Sequence, residues 1–143
     1  MNTKQCFVIA PIGEAGSDTR KRSDQVLSHV ITPAVSPLGY AVMRADNISE
    51  PGLITSQVIQ HVVDDALVIA DLTDRNPNVF YELAIRHSIR RPLVQIMRTG
   101  DALPFDVAGM RTILFDHRDL DSVAAAITEI AKQVKHLESK PQD

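Results

Sequence analysis

Residues 66–91 read ALVIADLTDRNPNVFYELAIRHSIRR, an apolar run followed by a polar segment and then by an amphipathic pattern. The apolar run at 66–71 predicts a strand covered on both faces, because parallel strands between two helical layers are apolar throughout. Asn76 and Pro77 form a typical helix start, and residues 78–90 have helical apolar spacing. The stretch therefore predicts a buried strand, a polar loop and a helix, which is the repeating unit of α/β proteins.

The rest of the chain repeats this alternation of short apolar runs and longer amphipathic runs. Further strands are predicted at residues 5–10, 40–44, 92–97 and 111–115, and further helices at residues 19–37, 52–64 and 119–138. No change in composition divides the chain, so residues 1–143 are expected to form a single α/β domain with five strands in a mostly parallel sheet. Residues 98–110 predict a long loop of the kind that often covers a site.

The composition is that of one soluble globular domain, with 143 residues of which 44% are hydrophobic and 23% charged. A net charge of −3 and an aromatic fraction of 4% argue against a nucleic-acid binder. No apolar stretch is long enough for a membrane span or a signal peptide, so we expect no membrane contact and a cytoplasmic location. The single Cys6 and the scattered histidines lack metal-ligand spacing, so no metal or cofactor is expected.

In a sheet of this kind, ligands bind in the crevice beyond the carboxyl ends of the strands. That rule selects the segments after the first three predicted strands, which lie at one edge of the sheet. They contain residues 11–19, Asp46 after the second strand, and residues 71–78. We expect the functional residues to come from these segments.

In the first of these loops, Gly13 and Gly16 precede a helix start, where backbone N–H groups attract an anion. The loop matches neither the P-loop pattern nor GxGxxG, so a tight turn without a ligand explains the glycines equally well. Arg20 and Arg22 could add affinity for a phosphate, whereas Lys21 is expected to lie on a solvated helix face.

Glu82 falls about one turn inside the predicted helix that follows the third strand, near the mouth of the crevice. Its neighbours Val79, Phe80 and Leu83 are apolar, so its carboxylate should be partly desolvated and available as a nucleophile or base. The alternative is an exposed glutamate that pairs with Arg86 one turn later and contributes a few tenths of a kcal/mol. The residues alone leave these two interpretations equal.

The segments CFVIAPIGE at 6–14, RAD at 44–46 and residues 66–97 resemble the nucleoside 2-deoxyribosyltransferase-like superfamily, and the resemblance covers roughly residues 5–115. Its most specific part is Tyr81-Glu82-Leu83. The resemblance implies a flavodoxin-like three-layer sandwich that cleaves or exchanges N-glycosidic bonds of nucleosides and nucleotides. The architecture is also similar to that of Toll/interleukin-receptor (TIR) domains, some of which hydrolyse NAD.

The resemblance implies that Glu82 is the nucleophile on the anomeric carbon and that the site is completed in a homo-oligomer. We expect Asp71 to assist catalysis. The residues expected to contact the substrate are Pro11, Ile12, Gly13, Arg20, Asp46, Asn76, Asn78 and Tyr81. The implied partner is a nucleoside, a nucleotide or an NAD-type small molecule.

The sequence departs from the superfamily at Gln57 and Val58, near the position where the transferases carry a second carboxylate. A second titratable group usually assists departure of the base, with an effect of about 10²- to 10⁴-fold on rate. Asp46, Glu50 or Asp71 could supply it from the edge of the crevice. The sequence therefore predicts an N-glycosidase or transferase with Glu82 as nucleophile, and leaves as the alternative a nucleotide-sensing or self-assembling module with weak or no catalysis.

Overall fold

The computed structural model describes residues 3–47, 54–102 and 111–140. Its sheet contains the strands β1 (Lys4–Ile9), β2 (Tyr40–Arg44), β3 (Leu67–Asp71), β4 (Leu93–Arg98) and β5 (Thr112–Phe115). They are ordered β2-β1-β3-β4-β5, and all the pairings between neighbours are parallel. The predicted five-stranded parallel sheet is confirmed, and each predicted strand agrees with the observed one to within a residue at either end.

Helices cover both faces of the sheet and form two separate cores. The helices are α1 (Asp18–Val26), α2 (Thr32–Val35), α3 (Ile54–Asp64), α4 (Pro77–Ser88) and α5 (Leu120–Ser139). One core joins the sheet to α1, α2 and α5, and the other joins it to α3 and α4. These three layers confirm the flavodoxin-like sandwich. No helix in the described ranges is long and apolar enough to cross a lipid bilayer.

The helix predicted at residues 19–37 is interrupted in the structure. A π-helical turn occupies Leu27–Ile31, α2 follows it, and a 3₁₀ turn at Ser36–Leu38 ends at Gly39 with a φ of 95°. The cause is proline: Pro33 and Pro37 have no N–H to donate, so the regular i to i−4 ladder cannot pass through them. The N–H and the hydroxyl of Thr32 both donate to the Leu27 carbonyl and bridge the irregular turn.

The end of α5 is fastened to the amino-terminal edge of the sheet by a polar cluster. Lys4 Nζ lies 2.6 Å from Glu138 Oε2, and the Tyr40 hydroxyl donates to the same oxygen over 2.7 Å. This cluster lies at the opposite edge from the strand ends that form the crevice. Burial and the neighbouring Glu138 carboxylate raise the pKa of Tyr40 to about 12, so the hydroxyl stays a donor over the physiological range.

The order of strands places the crevice between the loops that follow β1 and β3. The chain leaves β1 towards β2 on one side, whereas the next connection returns across β1 to β3 on the other. Loops diverge at such a point and leave room for a ligand. The loop predicted at 98–110 starts where β4 ends at Arg98, and its residues 103–110 lie outside the described part of the chain.

Candidate active site

A cavity of about 270 Å³ opens at this crevice. Its walls come from the end of β1, the loop after β1, the segment after β2 and the start of α4. The polar and loop residues that line it are Ile12, Gly13, Ala45, Asn76, Asn78 and Glu82. A larger groove of about 540 Å³ lies between α2 and α5, but it is mostly apolar and contains no carboxylate. The smaller cavity lies where the strand order predicts a ligand crevice and contains a carboxylate, so it is the candidate site.

Glu82 supplies the carboxylate of this cavity. Helix α4 begins at Asn76, whose side-chain Oδ1 caps the helix by accepting from the N–H of Asn78 over 2.9 Å. This cap and Pro77 fix the first turn of the helix. Glu82 follows in the second turn and lines the same cavity as both asparagines. Burial raises the pKa of Glu82 to about 6, which confirms the desolvation that its apolar neighbours predicted.

The alternative pairing of Glu82 with Arg86 is wrong. Arg86 lies one turn further along the same side of α4 and is fully buried, and its guanidinium donates to the carbonyls of Val62 and Pro92 over 3.0 and 2.9 Å. It therefore caps the end of α3. Within the described ranges, no cationic side chain lies within 4.0 Å of the Glu82 carboxylate. The carboxylate is left available to a substrate.

The loop between β3 and α4 has an unusual backbone. Asp74 and Arg75 have φ values of 65° and 49°, a left-handed conformation that costs residues with a Cβ of order 1 kcal/mol each. Polar contacts hold it: the Asp74 N–H donates to Asp101 Oδ2 over 2.9 Å, and Arg98 contacts the carboxylates of Asp74 and Asp101. Left-handed backbone of this kind is concentrated at functional sites.

Gly13 shapes the loop after β1, because any other residue at this position would displace neighbouring side chains. Gly13 has a φ of 72°, and a Cβ there would lie 2.8 Å from Ser17 Oγ and 2.9 Å from Thr19 Cβ. Ser17 caps α1 by accepting from the Arg20 N–H over 3.1 Å. The start of α1 therefore packs closely against Gly13, which is one of the residues that line the cavity.

Arg20 and Asp46 pair with each other at the rim of the cavity. Arg20 Nη2 lies 3.3 Å from Asp46 Oδ2, and Nη1 donates to the Gly13 carbonyl over 3.3 Å. The Arg44 guanidinium contacts both carboxylate oxygens of Asp46, with Nε 2.6 Å from Oδ1, and holds the pKa of that carboxyl below its ordinary value. The buried Arg44 also donates to Ser23 and Asp24, so it joins β2 to α1.

Sequence reasoning missed the structural role of Arg44 and of Arg22. Both are buried cations that pair with carboxylates from other parts of the chain. A basic residue at the end of an otherwise apolar strand, as Arg44 is, was the available signal. Arg22 gave no such signal, because a basic triplet at a helix start normally faces solvent.

The structure brings five of the ten predicted site residues together at the cavity. These are Ile12, Gly13, Asn76, Asn78 and Glu82. Arg20 and Asp46 stand at the rim, Pro11 is buried beneath the loop, and Tyr81 is 64% exposed on the outer side of α4. Asp71 is 1% exposed and its carboxylate is bound by Arg22 and Thr73 and does not line the cavity. Glu50 lies outside the described residues.

Of the two residues at the departure from the superfamily, Gln57 and Val58, the second lies in the core. Val58 is 5% exposed and packs in the core beneath α3 and α4 with Phe7 and Val62. Across the described ranges, no group of three His, Cys, Asp or Glu side chains is arranged to hold a metal ion. The described lining of the cavity therefore offers one titratable carboxylate, two side-chain amides and backbone polar groups.

A scan of known protein families finds no match to this chain. A search of curated proteins likewise finds none that matches. Solved structures do match. One is a 2-deoxyribosyltransferase from the psychrotolerant bacterium Bacillus psychrosaccharolyticus, with a TM-score of 0.60 and 12% identity over 85% of this chain and 95% of that chain. Another is a CMP N-glycosidase from Clostridium botulinum, with a TM-score of 0.59 and 12% identity over 94% of this chain and 100% of that chain.

A 2-deoxyribosyltransferase from Leishmania mexicana also matches, with a TM-score of 0.52 and 15% identity over 71% of this chain and 67% of that chain. The chain shares its fold with these enzymes. This confirms, for the fold, the resemblance to the nucleoside 2-deoxyribosyltransferase-like superfamily. At such low identity the likeness says nothing about individual residues.

Proposed function

We propose that this protein cleaves or transfers the N-glycosidic bond of a nucleoside or nucleotide, with Glu82 as the nucleophile. The observation that carries the proposal is a half-buried carboxylate without a cationic partner among the described residues, at the crevice of a fold shared with enzymes of this chemistry. Fold alone does not determine function, and it is the carboxylate in this cavity that supports the chemistry.

In this proposal the Glu82 carboxylate attacks the anomeric carbon while the base departs, and water or an acceptor then releases the sugar. The half-buried position favours the reaction, because a poorly solvated carboxylate interacts strongly with the positive charge that develops on the sugar. The amides of Asn76 and Asn78 lie beside it and can donate hydrogen bonds to sugar hydroxyls. The rim formed by Gly13 and Arg20 is the proposed position of a phosphate.

A second candidate function is a nucleotide-sensing module with weak or no catalysis. It is favoured by Val58, an apolar residue near the position where the transferases carry a second carboxylate. A site with one carboxylate can assist the nucleophilic step, but it offers little help to a base that must be protonated as it leaves. The nicotinamide of NAD departs as an uncharged base and needs no such proton. NAD therefore belongs in the panel of substrates.

The test is to incubate the purified protein with nucleosides, nucleoside monophosphates and NAD and to measure free base by chromatography. We expect Glu82→Gln to abolish base release, because a neutral amide can neither attack the anomeric carbon nor offset its charge. Asp64→Asn, at the exposed end of α3, is the matched control for loss of a carboxylate and should retain activity.

The outcomes separate the two candidates. Release of base by wild type and not by Glu82→Gln supports the enzyme. A Glu82→Gln variant that releases base at the wild-type rate would show that the nucleophile is another residue. If wild type binds a nucleotide but releases no base from any substrate, the sensing function replaces the catalytic one.

A further inference from the structure

Arg22 connects two layers of the molecule through a buried ion pair. It lies on α1, across the sheet from α4, which carries Glu82. Its Nη1 donates to Asp71 Oδ2 over 2.8 Å, and the two side chains are 10% and 1% exposed. Asp71 is the last residue of β3, so this pair acts at the point where the chain enters the loop to α4.

The second carboxylate oxygen of Asp71 holds that loop. Oδ1 accepts from the Thr73 N–H over 3.1 Å and from the Thr73 hydroxyl over 2.6 Å. The Thr73 oxygen in turn accepts from the backbone N–H of Arg98 over 3.0 Å, which ties the loop to the end of β4. One carboxylate thus links α1, β3 and the loop.

The loop needs such support because of its backbone. Asp74 and Arg75, the two residues after Thr73, are both left-handed. The chain then passes directly into Asn76, which caps α4 and lines the cavity with Glu82. Any relaxation of the loop would therefore move the first turns of α4, and with them the residues that face the substrate.

We propose that Arg22 is a positioning residue for this site: it holds the Asp71 carboxylate and, through it, the loop that places Asn76 and Glu82. This inference rests on the proposed function for its kinetic consequences. It also gives Asp71 a task different from proton transfer, since both its oxygens are occupied by Arg22 and Thr73.

The first test is kinetic. Arg22→Met leaves a buried carboxylate without its cation, and we expect kcat to fall by about 10- to 100-fold, the scale of a site displaced by around 1 Å. Arg22→Lys keeps the cation and should retain most of the activity. Lys21→Met removes an exposed cation from the same helix, and Val134→Ala weakens the core far from the loop; both should leave kcat and KM unchanged.

A double variant separates positioning from proton transfer. In Arg22→Met combined with Asp71→Asn, the amide carries no charge that needs Arg22, and its oxygen still accepts from Thr73. We expect kcat to recover by at least about 5-fold over Arg22→Met alone, since the unpaired buried charge is the cause of the loss. If Asp71 transferred a proton to the substrate, the double variant would be no more active than the single one.

The second test does not depend on catalysis. The titration of Glu82 can be followed by ¹³C NMR of labelled carboxyl groups, with the signal assigned by its absence in Glu82→Gln. In Arg22→Met we expect the titration midpoint to move from about 6 towards the ordinary 4.5, because displacement of α4 admits water to the carboxylate. Val134→Ala should leave that midpoint in place.

Failure of the proposed function and failure of the proposed role of Arg22 give different results. If wild type releases no base, the proposed function fails while the Glu82 titration still tests the role of Arg22. An unchanged midpoint and an unchanged kcat in Arg22→Met would overturn the role of Arg22, as would equal changes in Val134→Ala. If Arg22→Met does not fold, Arg22→Lys and the double variant carry the same two measurements.

Discussion

Glu82 is the residue whose ionisation should govern activity. With its pKa raised to about 6 by burial, the carboxylate is ionised above that pH and protonated below it. Only the ionised form is a nucleophile, so kcat/KM should be flat above about pH 7 and fall tenfold per pH unit well below 6. A pH profile of base release checks this. A profile that stays flat down to pH 4.5 would assign the controlling ionisation to a different group.

The raised pKa of Glu82 also makes the stability of the folded protein depend on pH. In the unfolded chain Glu82 ionises near its ordinary pKa of 4.5, whereas in the folded chain it holds its proton up to about 6. The folded state therefore binds more protons between these values, and stability falls as the pH rises through them. Below pH 4.5 both states are protonated and the cost is absent.

We therefore expect Glu82→Gln to be more stable than wild type at pH 7, by about 1 kcal/mol after allowance for partial exposure. The difference should vanish as the pH is lowered to about 4.5, since the glutamine does not titrate. Urea unfolding of both proteins at a series of pH values measures it. A difference that is the same at pH 4.5 and pH 7 would indicate that burial does not disfavour the Glu82 carboxylate.

Among the structural elements, the loop between β1 and α1 is the proposed binding element for an anion. Its two glycines permit a matched comparison. Gly13 and Gly16 both have a positive φ, but a Cβ at Gly13 meets Ser17 and Thr19, whereas a Cβ at Gly16 has nothing within 4 Å. Both substitutions therefore carry backbone strain, and one of them also displaces the helix cap.

We expect Gly13→Ala to raise KM for a phosphorylated substrate by at least about 10-fold, because the loop and the start of α1 must shift away from the cavity. Gly16→Ala carries the backbone strain alone, so it should lose about 1 kcal/mol of stability, less than Gly13→Ala, with little change in KM. Kinetics and thermal unfolding of the two variants give the comparison. Equal KM values in both would place the phosphate elsewhere on the molecule.

The elements of the fold could be predicted from the sequence wherever a local pattern decides them. The apolar run of β3 and the Asn76-Pro77 start of α4 are local signals, and both are where the sequence predicts them. The partial burial of Glu82 has a source outside its own helix as well, because Val8 and Ile9 at the end of β1 line the same cavity. The resemblance supplied what local patterns could not, namely a proposed role for this glutamate.

The positions of the buried cations depend on contacts between elements, and no local pattern in the sequence contains such contacts. Arg22 and Asp71 are 49 positions apart, and only the packing of α1 against the sheet brings them together. The sequence suggested Arg86 only as an ion-pair partner of Glu82, but its guanidinium donates to a carbonyl at the end of α3 and is fully buried. Buried cations of this kind are not visible in a sequence, because their partners are backbone atoms or distant carboxylates.

At the scale of the whole molecule, the volume of the cavity limits how much of a substrate one chain can enclose. The cavity of about 270 Å³ is smaller than the roughly 300–1,000 Å³ of pockets that bury a drug-sized ligand. A nucleotide bound with its sugar at Glu82 would therefore extend beyond the described lining. A second copy of the chain could supply the additional surface.

We expect the protein to be at least a dimer, as the resemblance to the superfamily implies. The surface has apolar side chains available for an interface, with Leu114 52% exposed on the edge strand β5 and Leu120 85% exposed at the start of α5. Single exposed leucines are common on monomers, so they permit association without requiring it. The stronger reason is the small volume of the cavity, because a symmetric partner would enclose two sites at once. Sedimentation velocity at micromolar concentration, with and without nucleotide, measures the assembly. A monomer under both conditions would mean that each chain encloses its substrate alone.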